Sequence, residues 1–366
     1  MSAQAPTDPL PLLRIALAGG PREPRRQLLE AGAHGTPPAE LAARMAAVPA
    51  ATLDRCLDWL ASPGHHFLAW NDPRYPPLLR QCPDAPLGLF VDGAPDHLWQ
   101  PALAVVGSRS ASAGGRDNAR EFARAFCRAG LAVASGMAAG IDGAAHAAAL
   151  ECGGLTIAVL GTGPDRPYPR QHAALMEQVA EAGAVVSEHP PGTPPRAEHF
   201  PARNRIIAGL SLGTVVVEAA LRSGALISAR MAAEYGREVF ALPGSIHNPQ
   251  ARGCHRLIRE GAQLVETPLE VLAGIAPLAG RLARALVPKT DPGTGTGQAV
   301  EPPPPDHDIL WKALGHDPIP MDVLAERTGL TPATLSSMLL AMELDGRLVV
   351  EHGRYARRST GGSTVA

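Results

Sequence analysis

The chain of 366 residues predicts an α/β fold: a doubly wound, mostly parallel sheet flanked by a helical N-terminal segment and a C-terminal winged helix. Three observations carry this. Between residues 67 and 278, six short apolar runs alternate with amphipathic helical stretches, as strand–helix–strand units do. The runs are nearly continuous rather than alternating, which strands covered on both faces require. A Pro- and Gly-rich stretch then sets off a C-terminal part with its own helix, turn, helix and hairpin pattern.

The length exceeds what one compact core holds and suggests two or three domains. Residues 1–66 are rich in Ala, Leu and Arg, with Leu53, Cys56, Leu57 and Leu60 at helical spacing and breaks at Gly19-Gly20, Gly35-Thr36-Pro37-Pro38 and Pro63-Gly64. They read as a small helical domain. In the second domain, 67–278, the candidate strands are Leu103–Gly107, Leu131–Ala134, Leu155–Leu160, Ala184–Ser187, Thr214–Val217 and Glu238–Ala241. The helix between the first two places Ala119, Phe122, Ala123, Phe126 and Cys127 on one stripe. Residues 279–305, with Gly-rich 291–297 and Pro302–Pro305, read as a linker, flexible and then stiff. Residues 306–366 read as helices near Ile309–Leu314, Met321–Thr328 and Pro332–Leu344, a hairpin over Gly346–Tyr355 and a disordered tail.

Lys+Arg 33 against Asp+Glu 35 leaves the chain near neutral, so any nucleic-acid surface must be a local patch. The cysteines Cys56, Cys82, Cys127, Cys152 and Cys254 make no CxxC pair, which fits reduced thiols better than a disulfide framework or zinc site. The N-terminus lacks the basic start and apolar core of a signal peptide, and no run of about 18 apolar residues suggests a membrane span. A cytoplasmic protein with no membrane association is expected.

In an open parallel sheet, ligands gather beyond the carboxyl ends of the strands. There the sequence places Gly107-Ser108-Arg109-Ser110, the loop from Gly136 to Gly140, Gly161-Thr162-Gly163, Ser223-Gly224 and Pro243-Gly244. Glycine lets backbone N–H groups approach an oxyanion closely. Several such loops on one edge predict an anion-binding crevice. Basic residues join it: Arg109, Arg170 after Tyr168-Pro169, and Arg203 and Arg205 around Asn204 beside an apolar run that reads as a helix. If 200–205 were extended, both arginines of that segment would face one side. They could clamp phosphates, or they could pair with carboxylates. Tyr168 and Phe200 are the aromatic neighbours for a base; Phe200 alone reads better as core, and Tyr168, in a Pro-flanked loop, as the exposed one.

Known nucleotide fingerprints are missing. There is no GxxxxGK[ST] loop, and Pro164-Asp165-Arg166 breaks GxGxxG after Gly163. There is no HExxH zinc motif and no GxSxG elbow. Asp142 and His146, four apart on a helix, could pass for an acid–base dyad but read better as a helix cap and its satisfied partner. Glu188 and Glu218 stand at strand ends, free either to act as carboxylates or to bind backbone and arginine. In the C-terminal part, the recognition-helix position holds no Lys or Arg, and its Leu335, Met338, Leu339 and Met342 stripe reads as core, which argues against operator reading.

The ordered set Val106–Arg109, Ser135–Asp142, Thr156–Asp165 with Tyr168-Pro169, Ser187-Glu188, Phe200–Gly209, Val217–Ala219, Ser223–Ile227 and Arg237–Gly244 resembles the DprA (Smf) family of bacterial natural transformation. The flanking segments resemble that family's sterile-alpha-motif-like (SAM-like) and winged-helix modules more loosely. The resemblance implies an extended Rossmann-like domain that binds and protects single-stranded DNA without sequence specificity, loads RecA onto it and forms a homodimer through that domain. It implies no enzyme and no cofactor. It places DNA contacts on Gly107, Ser108, Arg109, Gly136, Gly140, Gly161, Gly163, Tyr168, Phe200, Arg203, Asn204 and Arg205, with Arg170 a lesser candidate. His172 departs from the family's usual Asn. The alternative is a nucleotide-processing hydrolase resembling the lysine-decarboxylase-like class, whose PGGxGTxxE loop is absent here; a sequence-specific regulator is a third option.

Overall fold

In the computed structural model, the described residues are 8–32 and 35–286, and in the C-terminal part 310, 314, 319–331, 334–335, 338–339, 342, 348–351 and 354–357. The chain divides into two compact units, 1–288 and 289–366.

The first unit opens with helices α1 to α4 (Pro9–Leu17, Arg22–Glu30, Ala39–Ala46 and Ala50–Leu60). Strand β1 (His65–Ala69), a short helix α5 (Pro77–Arg80) and β2 (Gly88–Gly93) follow. Then come β3 (Ala102–Val106), α6 (Ala113–Arg128), β4 (Ala132–Ser135), α7 (Ile141–Glu151), β5 (Thr156–Leu160), α8 (Ala173–Ala182) and β6 (Ala184–Ser187). After α9 (His199–Leu210) the chain runs through β7 (Gly213–Val216), α10 (Ala225–Glu234), β8 (Glu238–Ala241), α11 (Arg252–Arg259), β9 (Gln263–Leu264) and α12 (Pro268–Leu286). The six apolar runs are the six strands from β3 to β8, each within a residue or two of its predicted span.

The sheet has nine strands in the order β1-β2-β6-β5-β4-β3-β7-β8-β9. From β6 to β9 all pairings are parallel; β1 and β2 add an antiparallel edge beside β6. Strands β1, β2 and β9 are not singled out by the sequence: β1 and β2 pair antiparallel with only the four-residue α5 between them, outside the strand–helix–strand pattern, and β9 has two residues. Alternate residues of each inner strand serve opposite faces. On β3, Ala102, Ala104 and Val106 pack with α9, α10 and the N-terminal helices, while Leu103 and Val105 pack under α6, α7 and α12.

The N-terminal helices share this core. Leu13, Leu53 and Cys56 pack with Phe90 of β2, and Ile15, Leu28 and Leu29 join Leu68 and Leu89. Helix α12 runs to Leu286, which corrects the start of the expected linker. The physical reason is its Ala/Leu-rich sequence, with Leu278 and Ala279 half-buried against the sheet cluster. The remainder of that segment, 287–305, lies outside the described residues, as does the tail from 358.

In the second unit, β10 (Ile319–Pro320), α13 (Met321–Thr328), β11 (Leu348–Glu351) and β12 (Arg354–Arg357) form a helix and a three-stranded sheet ordered β10-β12-β11. Gly329, in the left-handed conformation at φ 68°, ends α13. Leu335, Met338, Leu339 and Met342 are buried with Leu310, Leu314, Leu324 and Leu348, so that stripe is core. The expected helices near 309–314 and 332–344 lie largely outside the described residues.

Candidate functional site

Strand order reverses between β3 and β7: successive strands run one way from β3 through β4 and β5 to β6, and the other way from β7 through β8 to β9. At such a switch point the loops diverge and leave a crevice beyond the carboxyl ends. Here it measures about 740 Å³. The loop after β3 contributes Gly107, Ser108 and Arg109, the loop after β7 contributes Arg222 and Ser223, and Tyr168, Arg196, Phe200, Arg203 and Asn204 complete the walls.

The segment that holds Arg203, Asn204 and Arg205 folds within α9, so residues 200–205 are helical. This corrects the extended alternative: two residues along a helix turn about 200°, and Arg203 and Arg205 point apart. Arg203 is 4% exposed. Its Nη1 donates to the carbonyl oxygens of Gly136 (2.6 Å) and Val159, and its Nε donates to Asn204 Oδ1 at 3.2 Å. Burial pulls its pKa down to about 10, opposed by the nearby Asp142 carboxylate, so it stays charged at neutral pH. Arg205 leaves the crevice for a bidentate pair with Glu188 (3.1 and 2.6 Å) and a longer contact with Asp84 at 3.7 Å. The carboxylate-pairing alternative therefore describes Arg205.

The glycine loops divide: Gly107 and Gly224 line the crevice, while Gly136, Gly140, Gly161 and Gly163 lie outside the lining. Of these, Gly136, Gly161 and Gly163 are buried. The role of all four is close packing of neighbouring loops. A Cβ at Gly136 would strike the Arg203 guanidinium, and one at Gly161 would meet the Phe200 ring at 3.0 Å. A Cβ at Gly163 would press on Asp165 and the Pro190 carbonyl. Gly140 has φ +82° and lies against the Ser108 carbonyl, so both conformation and space demand glycine there.

Asp142 and His146 do not meet each other, and the expected cap is corrected: Gly140 holds the N-cap position with no side-chain cap, because the Asp142 carboxylate turns back to the preceding loop. Asp142 is buried and accepts from the N–H groups of Gly136 (3.0 Å) and Ala138 (3.4 Å), tying the loop ahead of α7. Burial raises its pKa, partly offset by Arg203. His146 Nδ1 lies 2.6 Å from Thr156 Oγ1, and burial pushes its pKa down to about 3. Glu218 accepts from Ser112 N (2.8 Å), Ser112 Oγ (2.6 Å) and Asn248 Nδ2 (3.3 Å), locking the start of α6 to the loop after β7.

What remains available is the rim. Arg109, Arg196 and Arg222 are exposed, and among the described residues no carboxylate pairs with them. The Arg109 guanidinium sits 5.3 Å from the Phe200 ring centroid. Phe200 in turn meets Tyr168, with centroids 5.1 Å apart, and Tyr168 is 40% exposed. Arg170, in a short 3₁₀ turn, is exposed but stands outside the crevice lining. The sequence reading missed Arg196 and Arg222. Arg222 stands one residue before the Ser223-Gly224 loop already singled out, whereas Arg196 lies in a Pro-flanked coil with no motif.

Comparison with known proteins adds the following. Residues 66–276 match the family described as DNA recombination-mediator protein A, and residues 295–354 match the DprA winged helix domain. Protein Smf of Escherichia coli is 44% identical over 317 residues, 86% of this chain and 83% of that protein. DNA processing protein DprA of Streptococcus pneumoniae is 48% identical over 202 residues, 55% of this chain and 71% of that protein. Its X-ray structure superposes with a TM-score of 0.65 at 38% identity, over 73% of this chain and 98% of that one. DNA processing protein A of Helicobacter pylori, described for its single-stranded DNA binding mode, superposes with a TM-score of 0.53 at 26% identity, over 59% and 96%.

Proposed function

The chain belongs to the DNA recombination-mediator protein A (DprA/Smf) family, and from this and the crevice we propose that it binds single-stranded DNA without sequence preference and loads RecA onto it during natural transformation. The observation that supports the binding most is one row of groups: unpaired Arg109 over Phe200, and Phe200 against exposed Tyr168. Cations that track a phosphate backbone, beside aromatic faces on which bases stack, suit a single strand and carry no sequence code. Arg196 and Arg222 extend the cationic rim. Arg203 and Asn204 form the floor, where Arg203 holds the β4 and β5 ends together. The hydrolase alternative loses its best carboxylate, since both oxygens of Glu218 are engaged by Ser112 and Asn248.

Self-association through this domain is part of the proposal. Strand β9 is one of the two sheet edges, with its Leu264 46% exposed and Leu269 after it 74% exposed, and an uncovered edge with apolar residues is a template for pairing. Binding should be tighter to single-stranded than to duplex DNA and should weaken steeply with salt. Fluorescence anisotropy over a salt series tests this. Equal affinity for duplex, or salt-insensitive binding, overturns the reading. Faster RecA filament growth on the strand in the presence of this chain tests the loading step.

A further inference from the structure

A second depression of about 800 Å³ lies between α10, α11 and the start of β8. It is contiguous with the crevice, because Arg222, Ser223 and Ile227 line both. Its walls are aliphatic: Leu221, 49% exposed, and the half-buried Leu226 and Val239. Four arginines line it, with Glu238 and Glu260. Arg230 is paired with Glu234, outside the lining, at 2.8 Å and Arg256 with Glu260 at 2.7 Å, which leaves two cations and the Glu238 carboxylate. Among the described residues, Arg222 and Arg237 have no carboxylate partner. Arg237 is 9% exposed, its Nη2 makes one long bond of 3.4 Å to the Leu78 carbonyl, and its buried Nε has no hydrogen-bond partner. An unsatisfied buried guanidinium costs stability unless something else meets its donors.

We propose that this groove is a second nucleotide subsite, in which a strand leaving the crevice passes Arg222 and seats a flanking nucleotide with its sugar and base on the aliphatic walls and its phosphate toward Arg237. The inference rests on the single-strand reading of the crevice. The two depressions share a wall and the same unpaired cation, so one polyanion can lie across both. An acidic peptide could satisfy the charge but has no reason to continue from the crevice.

The test compares oligothymidylates of about 6 and about 16 nucleotides, within the range of single-strand site sizes. Ala233→Glu places an anion on an exposed, groove-lining position of α10, where the helix should tolerate it; Arg237→Gln removes the buried donor. Both variants should bind the short strand within about twofold of the parent and lose about fivefold for the long one. Long-strand affinity equal to the parent's in Ala233→Glu, whose fold is checked by circular dichroism, overturns the subsite. Intact DNA binding with lost RecA stimulation assigns the groove to a protein partner, and lost self-association assigns it to a second copy. Either result also overturns the proposal. The crevice reading fails separately, if Arg109→Ala leaves short-strand binding unchanged.

Discussion

Arg203 and Arg109 border the same crevice, yet one is enclosed by the carbonyl oxygens of Gly136 and Val159 while the other lies over the Phe200 ring with no carboxylate beside it. The same contrast separates Arg205, held by Glu188, from Arg222. A buried guanidinium whose donors are satisfied fixes the arrangement of strand ends. An exposed one in a cationic rim keeps its donors for an incoming anion. Residue type is the same on both sides of this divide; burial and existing partners decide the role.

The buried side should respond most strongly. Arg203→Ala leaves the Gly136 and Val159 carbonyls without their donor and the buried Asp142 carboxylate without its neighbouring cation, and should cost about 3–5 kcal/mol in urea unfolding. A loss below about 1 kcal/mol would break the comparison. Next comes acid sensitivity. His146 is fully buried with its pKa depressed to about 3 from 6.5, so it folds neutral while the unfolded chain takes up a proton below pH 6.5. Its contribution is therefore complete above that pH and declines on acidification toward pH 3, by about 1.4 kcal/mol per pH unit. Equilibrium unfolding across this window should show that limb, and His146→Gln should flatten it.

The exposed side should leave folding alone. The double substitution Arg109→Ala with Arg222→Ala should keep unfolding within about 0.5 kcal/mol of the parent and lower the salt slope of single-strand binding by about 1.4, two lost phosphate contacts at about 0.7 each. The smallest effect is expected for Tyr168→Ala. It removes one half-exposed stacking face and should weaken binding by about 1 kcal/mol with the salt slope unchanged. A change in slope would show that the ring orders the arginines rather than a base.

The sheet was legible because its strands are apolar on both faces, and Leu103–Val106 could be read with no knowledge of its neighbours. The location of the crevice was equally legible from glycine loops at strand ends. The arginine roles were not. Arg203 and Arg205 occupy one motif in sequence, but the helical turn sends one toward β4 and β5 and the other toward Glu188, a partner seventeen positions away. Pairing across such a distance leaves no local pattern. Gly136, Gly140, Gly161 and Gly163 misled for a related reason: a loop that must pass under another loop needs the same residue as one that must admit a phosphate.

The shared core of the N-terminal helices with β1 and β2 has a practical consequence. Trp59 meets Phe90 edge-on at 5.9 Å, and Leu13, Leu53 and Cys56 close over the same ring. A chain begun at residue 66 would keep every parallel strand yet uncover Phe90 and Leu68, turning the edge of the sheet into a sticky face. Swapping the first 60 residues between relatives would likewise disturb this contact unless β2 travelled with them. The helices behave as a lid glued to the sheet, and the place to cut this protein lies beyond α12.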